Sequence, residues 1–365
     1  MRVAIVHERF TEFAGSERVV EQLHQLWPAA PVFTSIVDPN VLSGGLRDAD
    51  IRPSRLQRKY SGGPDYAHLL PLLPGAFSHL ELSGYDLIVT SHHAFANRVR
   101  PPAMTPVVSY THTPARWLWD AAFRRDERFG MLGSAALGAF AMTQRRADRA
   151  AARRLRAVAA NSQAVASRVA RWWERESTVV PPPVDIERFT FDAEVPRDDF
   201  FLLAGRLVPY KRPLVAIEAA RRAGVRLVVA GDGRLLSKIE RAAGAGIEVR
   251  GRVDDDELRD LYRRCRALVF PGEEDFGIVP VEAQATGAPV IALGRGGVLD
   301  TVVDGVTGTL YNSAGTGVPE LAEVLRDFDP RAFEPAIIRR HSEQFSSPNF
   351  RHRFMAFVAT ALESR

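Results

Sequence analysis

ALVFPGEEDFGIVPVEAQATGAPVIALGRGG (267–297) decides the architecture. Two short apolar runs in it, ALVFPG (267–272) and PVIALG (289–294), flank a segment of helical character. Both runs are apolar at consecutive rather than alternate positions, the pattern of strands covered on both faces of a parallel sheet. Gly277 permits a tight turn, and the helix is predicted to begin near Ile278 to Pro280, since proline suits a first helical turn. Strand, helix and strand in that order are the repeating unit of a doubly wound α/β sheet.

The same alternation extends along the chain. Further strand candidates are VAIVHE (3–8), PVFTSIV (31–37), LIVTSH (87–92), VVSYTH (107–112) and AVAANS (157–162), then FLLAGR (201–206), RLVVAG (226–231) and IEVRG (247–251). PLVAIEAARRAG (213–224) and DDELRDLYRRCR (255–266) read as helices between strands, the second capped by Asp254 or Asp255. The series runs twice. Between its halves lies VVPPPVDIERFTFDAEVPRDDF (179–200), where consecutive prolines disfavour helix and remove ladder donors. The expectation is a Rossmann-like domain over 1–180, a linker over 181–200, a second Rossmann-like domain over 201–347, and a C-terminal helix over 348–365 with Phe350, Phe354, Phe357 and Leu362 on its buried face.

At 365 residues the chain suits two cores rather than one. No apolar run approaches the ~20 residues that span a bilayer, and MRVAIVHERF lacks a signal-peptide layout. The single cysteine, Cys265, excludes an internal disulfide and a cysteine metal cage. A cytosolic location is the default expectation. Net charge is only +4, but QRRADRAAARRLR (144–156) concentrates six arginines against one aspartate. Arg145, Arg149 and Arg153 share a helix face, which fits either a solvated surface or peripheral contact with an anionic membrane. IRPSRLQRKYSGG (51–63), Trp172 and Trp173 fit a membrane-facing surface or ordinary packing. Nothing interleaves aromatics with the basic run as a nucleic-acid stacking platform would.

Ligands of open α/β sheets bind beyond the carboxyl ends of strands. Arg206 ends a strand candidate and Lys211 follows five positions later, so two cations can neutralise a diphosphate leaving group there. AGDG (230–233) and RGG (295–297) offer either close backbone approach to a ligand or ordinary turns. The amides of Phe276, Gly277, Ile278 and Val279 sit at a helix start, which suits a phosphate. Glu274 precedes that helix and Glu282 lies within it, and a carboxylate is a natural acceptor for sugar hydroxyls. Helix-start acidity explains Glu273 to Asp275 but not Glu282.

These residues resemble the family-4 retaining glycosyltransferases of the GT-B fold over essentially the whole chain. Glu274 and Glu282, eight positions apart in EEDFGIVPVEA, carry the resemblance. GRLVPYK (205–211), VVAGDG (228–233), GRVDDDEL (251–258) and GAPVIALGRGGVLDTVVDGVTG (287–308) support it. YTHTPARWLWD (110–120) and ANSQAVASRV (160–169) look like the mannosyltransferases of O-antigen and exopolysaccharide assembly. The resemblance implies two Rossmann-like domains with parallel sheets facing across a cleft. Arg206 and Lys211 would hold the donor diphosphate, Glu274 the transferred sugar, Glu282 the ribose, and the backbone near Arg252 and Val253 the base. It further implies retention of anomeric configuration and neither metal ion nor cofactor. GDP-mannose is the favoured donor, with a UDP-sugar or a non-catalytic sugar-nucleotide-binding protein as alternatives. The acceptor would be a saccharide, free or polyprenyl-linked.

The first half departs from the family in one respect: Ala14 and Gly15 stand where many members have paired glycines. Gly15 can still approach the β-phosphate. His112, at a strand end, is expected to bond the transferred sugar, by resemblance. His93, Tyr110, Arg116 and Trp117 are the acceptor-side candidates, with core packing as the competing reading for the aromatics.

Overall fold

The computed structural model of the protein describes residues 1–42, 44–63, 66–121, 124 and 130–363. The chain divides into two compact units. One comprises Met1–Pro183 with the C-terminal segment from Ser347, the other Val184–Ser346.

In the first unit the described residues form one sheet of β1 (Val3–His7), β2 (Val32–Thr34), β3 (Ile51–Pro53), β4 (Leu87–His92), β5 (Val107–Thr111), β6 (Ala157–Ala160) and β7 (Thr178–Val179). Their order is β3-β2-β1-β4-β5-β6-β7, with every pairing parallel. The continuous apolar runs now have their reason. Ala4 and Val6 of β1 enter one core while Val3 and Ile5 enter another on the opposite face, because successive side chains of a strand point to opposite sides. Each such Val or Ile, fully buried, contributes ~1.5–3 kcal/mol.

The second unit repeats the design with β8 (Phe201–Ala204), β9 (Leu227–Ala230), β10 (Ile247–Gly251), β11 (Leu268–Phe270), β12 (Val290–Leu293) and β13 (Gly308–Tyr311), ordered β10-β9-β8-β11-β12-β13 and again all parallel. Each sheet reverses its winding once, between β1 and β4 in the first and between β8 and β11 in the second. Such switch points open a crevice at the strands' carboxyl ends.

All ten strand candidates are strands, and β3, β7 and β13 are additional. Two of these are edge strands of two or three residues, too short for periodicity to mark. β13 starts on Gly308, where a Cβ would lie 2.0 Å from Val290 O. The stretch expected as a linker is divided: Val184, Ile186, Phe189 and Phe200 are buried in the second unit's core. The C-terminal helix, Ser347–Glu363, packs Phe350, Phe354 and Phe357 into the first unit, with Val358 and Ala361 in place of Leu362, which is 38% exposed.

Trp173 is not a membrane-facing residue. It is fully buried, and its indole N–H donates to Asp148 at 2.7 Å, as does that of Trp119 at 2.8 Å. Trp172 stacks on Trp119. Among the described residues no helix is long and apolar enough to cross a membrane.

Candidate active site

At the switch point of the second sheet the chain leaves β8 through Gly205 (φ +117°), and Arg206 follows with its side chain exposed. The turn Pro209–Lys211 then brings Lys211 toward the loop leaving β11. Lys211 Nζ lies 2.8 Å from Glu274 Oε1, and the two side chains are only 16% and 17% exposed. Tyr210 sits among these charges. Burial lifts its hydroxyl above the usual phenol range; Lys211 and Arg206 oppose the shift, while Glu274 and Asp275 add to it. One hydroxyl thus lies within electrostatic reach of all four groups.

Glu274 is followed by a sharp turn. Gly277 caps the helix Ile278–Ala285 at φ +94°, a conformation that only glycine adopts without strain. The first amides of that helix have no acceptor within it. Phe276 contributes its backbone only, for its ring is buried against Phe345. Glu282, one turn into the helix, accepts a hydrogen bond from Tyr262 at 3.4 Å. Beyond β10, Arg252 is exposed and Val253 packs half-buried on the core. Asp254 caps the next helix by accepting from Glu257 N–H at 2.9 Å.

The glycines of AGDG and RGG serve loop-to-loop contacts. A Cβ on Gly231 would meet Gly205 O at 1.9 Å, and one on Gly233 would meet Leu207 O at 2.6 Å. A Cβ on Gly272 would lie 2.7 Å from Lys211 Cα, and one on Gly297 only 2.3 Å from Asp275 O. Gly297 N–H also donates to Glu274 O at 2.8 Å. The backbones that carry Lys211 and Glu274 are therefore pressed together from three sides, so the pair is held by the fold rather than by its own attraction.

The switch point of the first sheet gathers a second polar cluster. His7 ends β1, and its partner in β4 is Ser91. His7 Nδ1 is 3.1 Å from Ser91 Oγ, which is 2.9 Å from His112 Nε2 just beyond β5. On the other edge of the ring, His7 Nε2 is 3.2 Å from Glu17 Oε1. Burial acts to raise the pKa of Glu17, but His7, the Ala14 amide and the Ser16 hydroxyl bring it down to about 2. Burial, then the charge of His7, lowers His112 to about 3, against the pull of Glu17. His112 is consequently a neutral imidazole at ordinary pH, suited to hydrogen bonding and not to acid catalysis as an imidazolium.

Glu8 supports this cluster from below. Its Oε1 accepts from the amides of Ala94, Phe95 and Ala96 at 2.7–2.8 Å, closing the loop after β4. His92 is buried beside Trp173 and is held well below the usual histidine range, chiefly by burial, so it belongs to the core. His93 is half-buried, 2.8 Å from an Arg9 guanidinium nitrogen.

Two expectations are corrected here. Tyr110 cannot meet an acceptor: it is fully buried, its hydroxyl donates to Val180 O at 3.1 Å, and Phe350 packs on its ring. Trp117 stacks on Phe140 at 5.9 Å and adjoins Phe95, so its faces are largely taken by protein. Arg116 begins the short helix Arg116–Trp119 and is half-buried. Gly15 is the first residue of the helix Gly15–Leu26. Ala14 before it is extended at φ −135°, so alanine stands there without strain.

The arginine row has local partners. Arg145 donates to Leu118 O, Arg149 to Trp172 O, and both guanidinium groups lie over Trp119. Arg149 and Arg153 pair with Glu174.

Sequence reasoning passed over His7, Glu17, Ser91 and Tyr210. His7 and Ser91 lay in plain view at strand ends. Their link needed the β1–β4 pairing, which no local pattern encodes.

Residues 13–188 match the model of Glycosyltransferase Family 4, and residues 185–328 that of Glycosyl transferases group 1. A D-inositol 3-phosphate glycosyltransferase of Streptomyces avermitilis is 30% identical over 384 residues, covering 92% of this chain and 79% of that protein. Among solved structures, Anabaena HepE in complex with UDP superposes with a TM-score of 0.70 at 18% identity, covering 99% of this chain and 100% of its own. The sucrose-phosphate synthase of Thermosynechococcus elongatus gives 0.73 at 17%, with both chains wholly covered. At such identities these structures speak for the fold alone. Two parallel sheets with charged clusters at their switch points, two adjoining family matches and a relative aligned over nearly the whole chain agree: the chain belongs to the family-4, group-1 glycosyltransferases of the GT-B fold.

Proposed function

We propose that the protein transfers a hexose from a nucleoside-diphosphate sugar to a saccharide or lipid-linked saccharide, with retention and without a metal ion. The observation that carries this reading is the Lys211–Glu274 pair, 2.8 Å apart at the β8–β11 switch point. A cation and a carboxylate held side by side suit the two halves of such a donor. Lys211 and Arg206 face the diphosphate, Glu274 the sugar hydroxyls, and Glu282 the ribose diol. The helix start at Gly277–Val279 adds amides for the phosphate.

In the reaction the bond from the anomeric carbon to the β-phosphate oxygen breaks. The acceptor oxygen bonds to the same face of that carbon, and its proton passes to the departing phosphate. No enzymic nucleophile enters. The protein's share is to stabilise charge developing on the leaving diphosphate, which preorganised cations do at no reorganisation cost. Gly15 and His112 carry the roles of phosphate and sugar contact that the family resemblance gives them.

For the donor we favour GDP-mannose, on the likeness of YTHTPARWLWD to O-antigen and exopolysaccharide mannosyltransferases. A UDP-hexose is the second reading, supported by the HepE structures with UDP and UDP-glucose. Labelled GDP-mannose, UDP-glucose and UDP-galactose, each incubated with the protein and a saccharide panel, separate the two. The expected result is transfer or slow hydrolysis of GDP-mannose. Turnover of UDP-sugars alone would remove the mannosyl reading and keep the transferase, and turnover of none would count against both.

A further inference from the structure

Three arginines of the first unit, Arg98, Arg100 and Arg154, line a cavity of about 260 Å³. Arg98 ends the turn Ala96–Arg98 that follows β4, and Arg154 follows the helix Gly130–Arg153. That helix adds Ala147 and Ala150, three positions apart and so on one face, and their small side chains leave the space open. Ser78, at the end of the helix Leu73–Ser78, also lines it, and its hydroxyl donates to Gly75 O at 3.1 Å. We propose that this cavity binds a dianionic phosphate group. It shares no residue with the donor site of the second unit or with the polar cluster at the β1–β4 switch point.

Arg98 is the strongest sign. It is only 8% exposed; Nη2 donates to Gln144 O at 3.0 Å, and Nε has no acceptor. Taking a guanidinium out of water is costly unless its donors are paired, and an apolar side chain would fill the same volume without that cost. Burial lowers the pKa of Arg98, as does the charge of Arg154, while Asp148 and Glu8 oppose the shift. Both carboxylates are already engaged: Asp148 Oδ2 accepts from two indoles, and Glu8 Oε1 from backbone amides. Arg154 is pushed down by burial and then by the charge of Arg100. Among the described residues, neither Arg100 nor Arg154 has a hydrogen bond or ion pair through its side chain. A helix C-terminus favours a cation at Arg154. It gives no reason for Arg98 to be buried or for Arg100 to crowd Arg154.

A doubly negative group in the cavity would relieve all three arginines. Guanidinium forks match phosphate oxygens in pairs. A carboxylate, with one charge and two oxygens, would leave a third fork unmatched. At about 260 Å³ the cavity lies below the ~300–1,000 Å³ of pockets for drug-sized ligands. It has room for a phosphate on a short stem and not for a nucleoside-diphosphate sugar.

Calorimetric titration of inorganic phosphate and of glycerol 3-phosphate tests the site. The full chain carrying Arg206→Ala/Lys211→Ala serves as the parent, so that anion binding in the second unit adds nothing. At about pH 8 a phosphate ester is a dianion, and about 0.15 M salt screens diffuse surface attraction. The expected result is one site per chain for at least one probe. Arg154→Ala should weaken it at least tenfold, the loss of one charge-assisted contact. Ala147→Leu, which fills the cavity and keeps every charge, should abolish it. Both positions are exposed, so these variants keep the fold. Binding only to phosphatidylcholine vesicles that contain phosphatidic acid, lost in the same two variants, would support the site with a lipid headgroup as its source. No binding of any probe, or binding unchanged in Ala147→Leu, would overturn the proposal.

Discussion

Glu274→Ala is expected to lower kcat on the order of 10²–10³-fold, the loss found when one preorganised group facing the transition state is removed. Two effects combine in it. The sugar loses a carboxylate acceptor, and Lys211 loses the partner 2.8 Å away that fixes its ammonium. The backbone around both residues is held by the Gly272 and Gly297 contacts, so neither effect comes from a collapsing loop. Stability should fall as well, by ~1–3 kcal/mol, because Lys211 is left largely buried without its partner. Glu282→Ala offers the contrast. Its carboxylate is assigned to the ribose, which does not change during transfer, so the loss should appear in the donor KM and leave kcat nearly intact. Steady-state kinetics with the best donor of the panel distinguishes the two. A Glu274→Ala enzyme of wild-type kcat would remove the residue from the chemistry.

Asp148→Ala should produce the largest loss of stability. Asp148 is 1% exposed and accepts from the indole nitrogens of Trp119 and Trp173. Burial raises the pKa of its carboxyl, and the two indole bonds oppose the shift. Truncation removes Oδ2, the one oxygen that accepts from both indoles, and strands the Trp173 N–H in the core. A buried donor without a partner costs ~1–3 kcal/mol, and bonds to a charged group contribute ~1.5–3 kcal/mol each. Release of the carboxylate from burial offsets part of this, so the net loss should be about 3 kcal/mol. In a unit of about 200 residues that lowers Tm by on the order of 10 °C. Asp148→Asn keeps one acceptor and should lose less than half as much. Differential scanning calorimetry measures both variants, and an unchanged Asp148→Ala transition would show that the indoles find other acceptors.

The two sheets were legible because their strands are buried on both faces and so read as unbroken apolar runs. β3 and β7 escaped for the opposite reason: they are short edge strands with partly exposed residues. The charged residues of the second unit were legible too, since Arg206, Lys211 and Glu274 sit at or a few positions beyond the ends of such runs. What the pattern could not convey was which strands are neighbours. β8 and β11 are adjacent in the sheet though more than sixty residues apart in sequence, and only that adjacency brings Lys211 onto Glu274. The same holds for His7 and Ser91. Tyr110 misled because alternation says which face of a strand a residue takes, not whether a helix covers it. Phe350 and Phe354 of the C-terminal helix do so.

The assignment of a diphosphate site to the β8–β11 switch point is tested most directly by calorimetric titration of GDP and UDP into the wild type and into the Arg206→Ala/Lys211→Ala double variant. One of the two nucleotides should bind the wild type at one site per chain. The double variant should bind it at least 100-fold more weakly, about 1.4 kcal/mol or more being lost with each cation. Equal affinity in the two proteins, or no binding of either nucleotide to the wild type, would contradict the assignment.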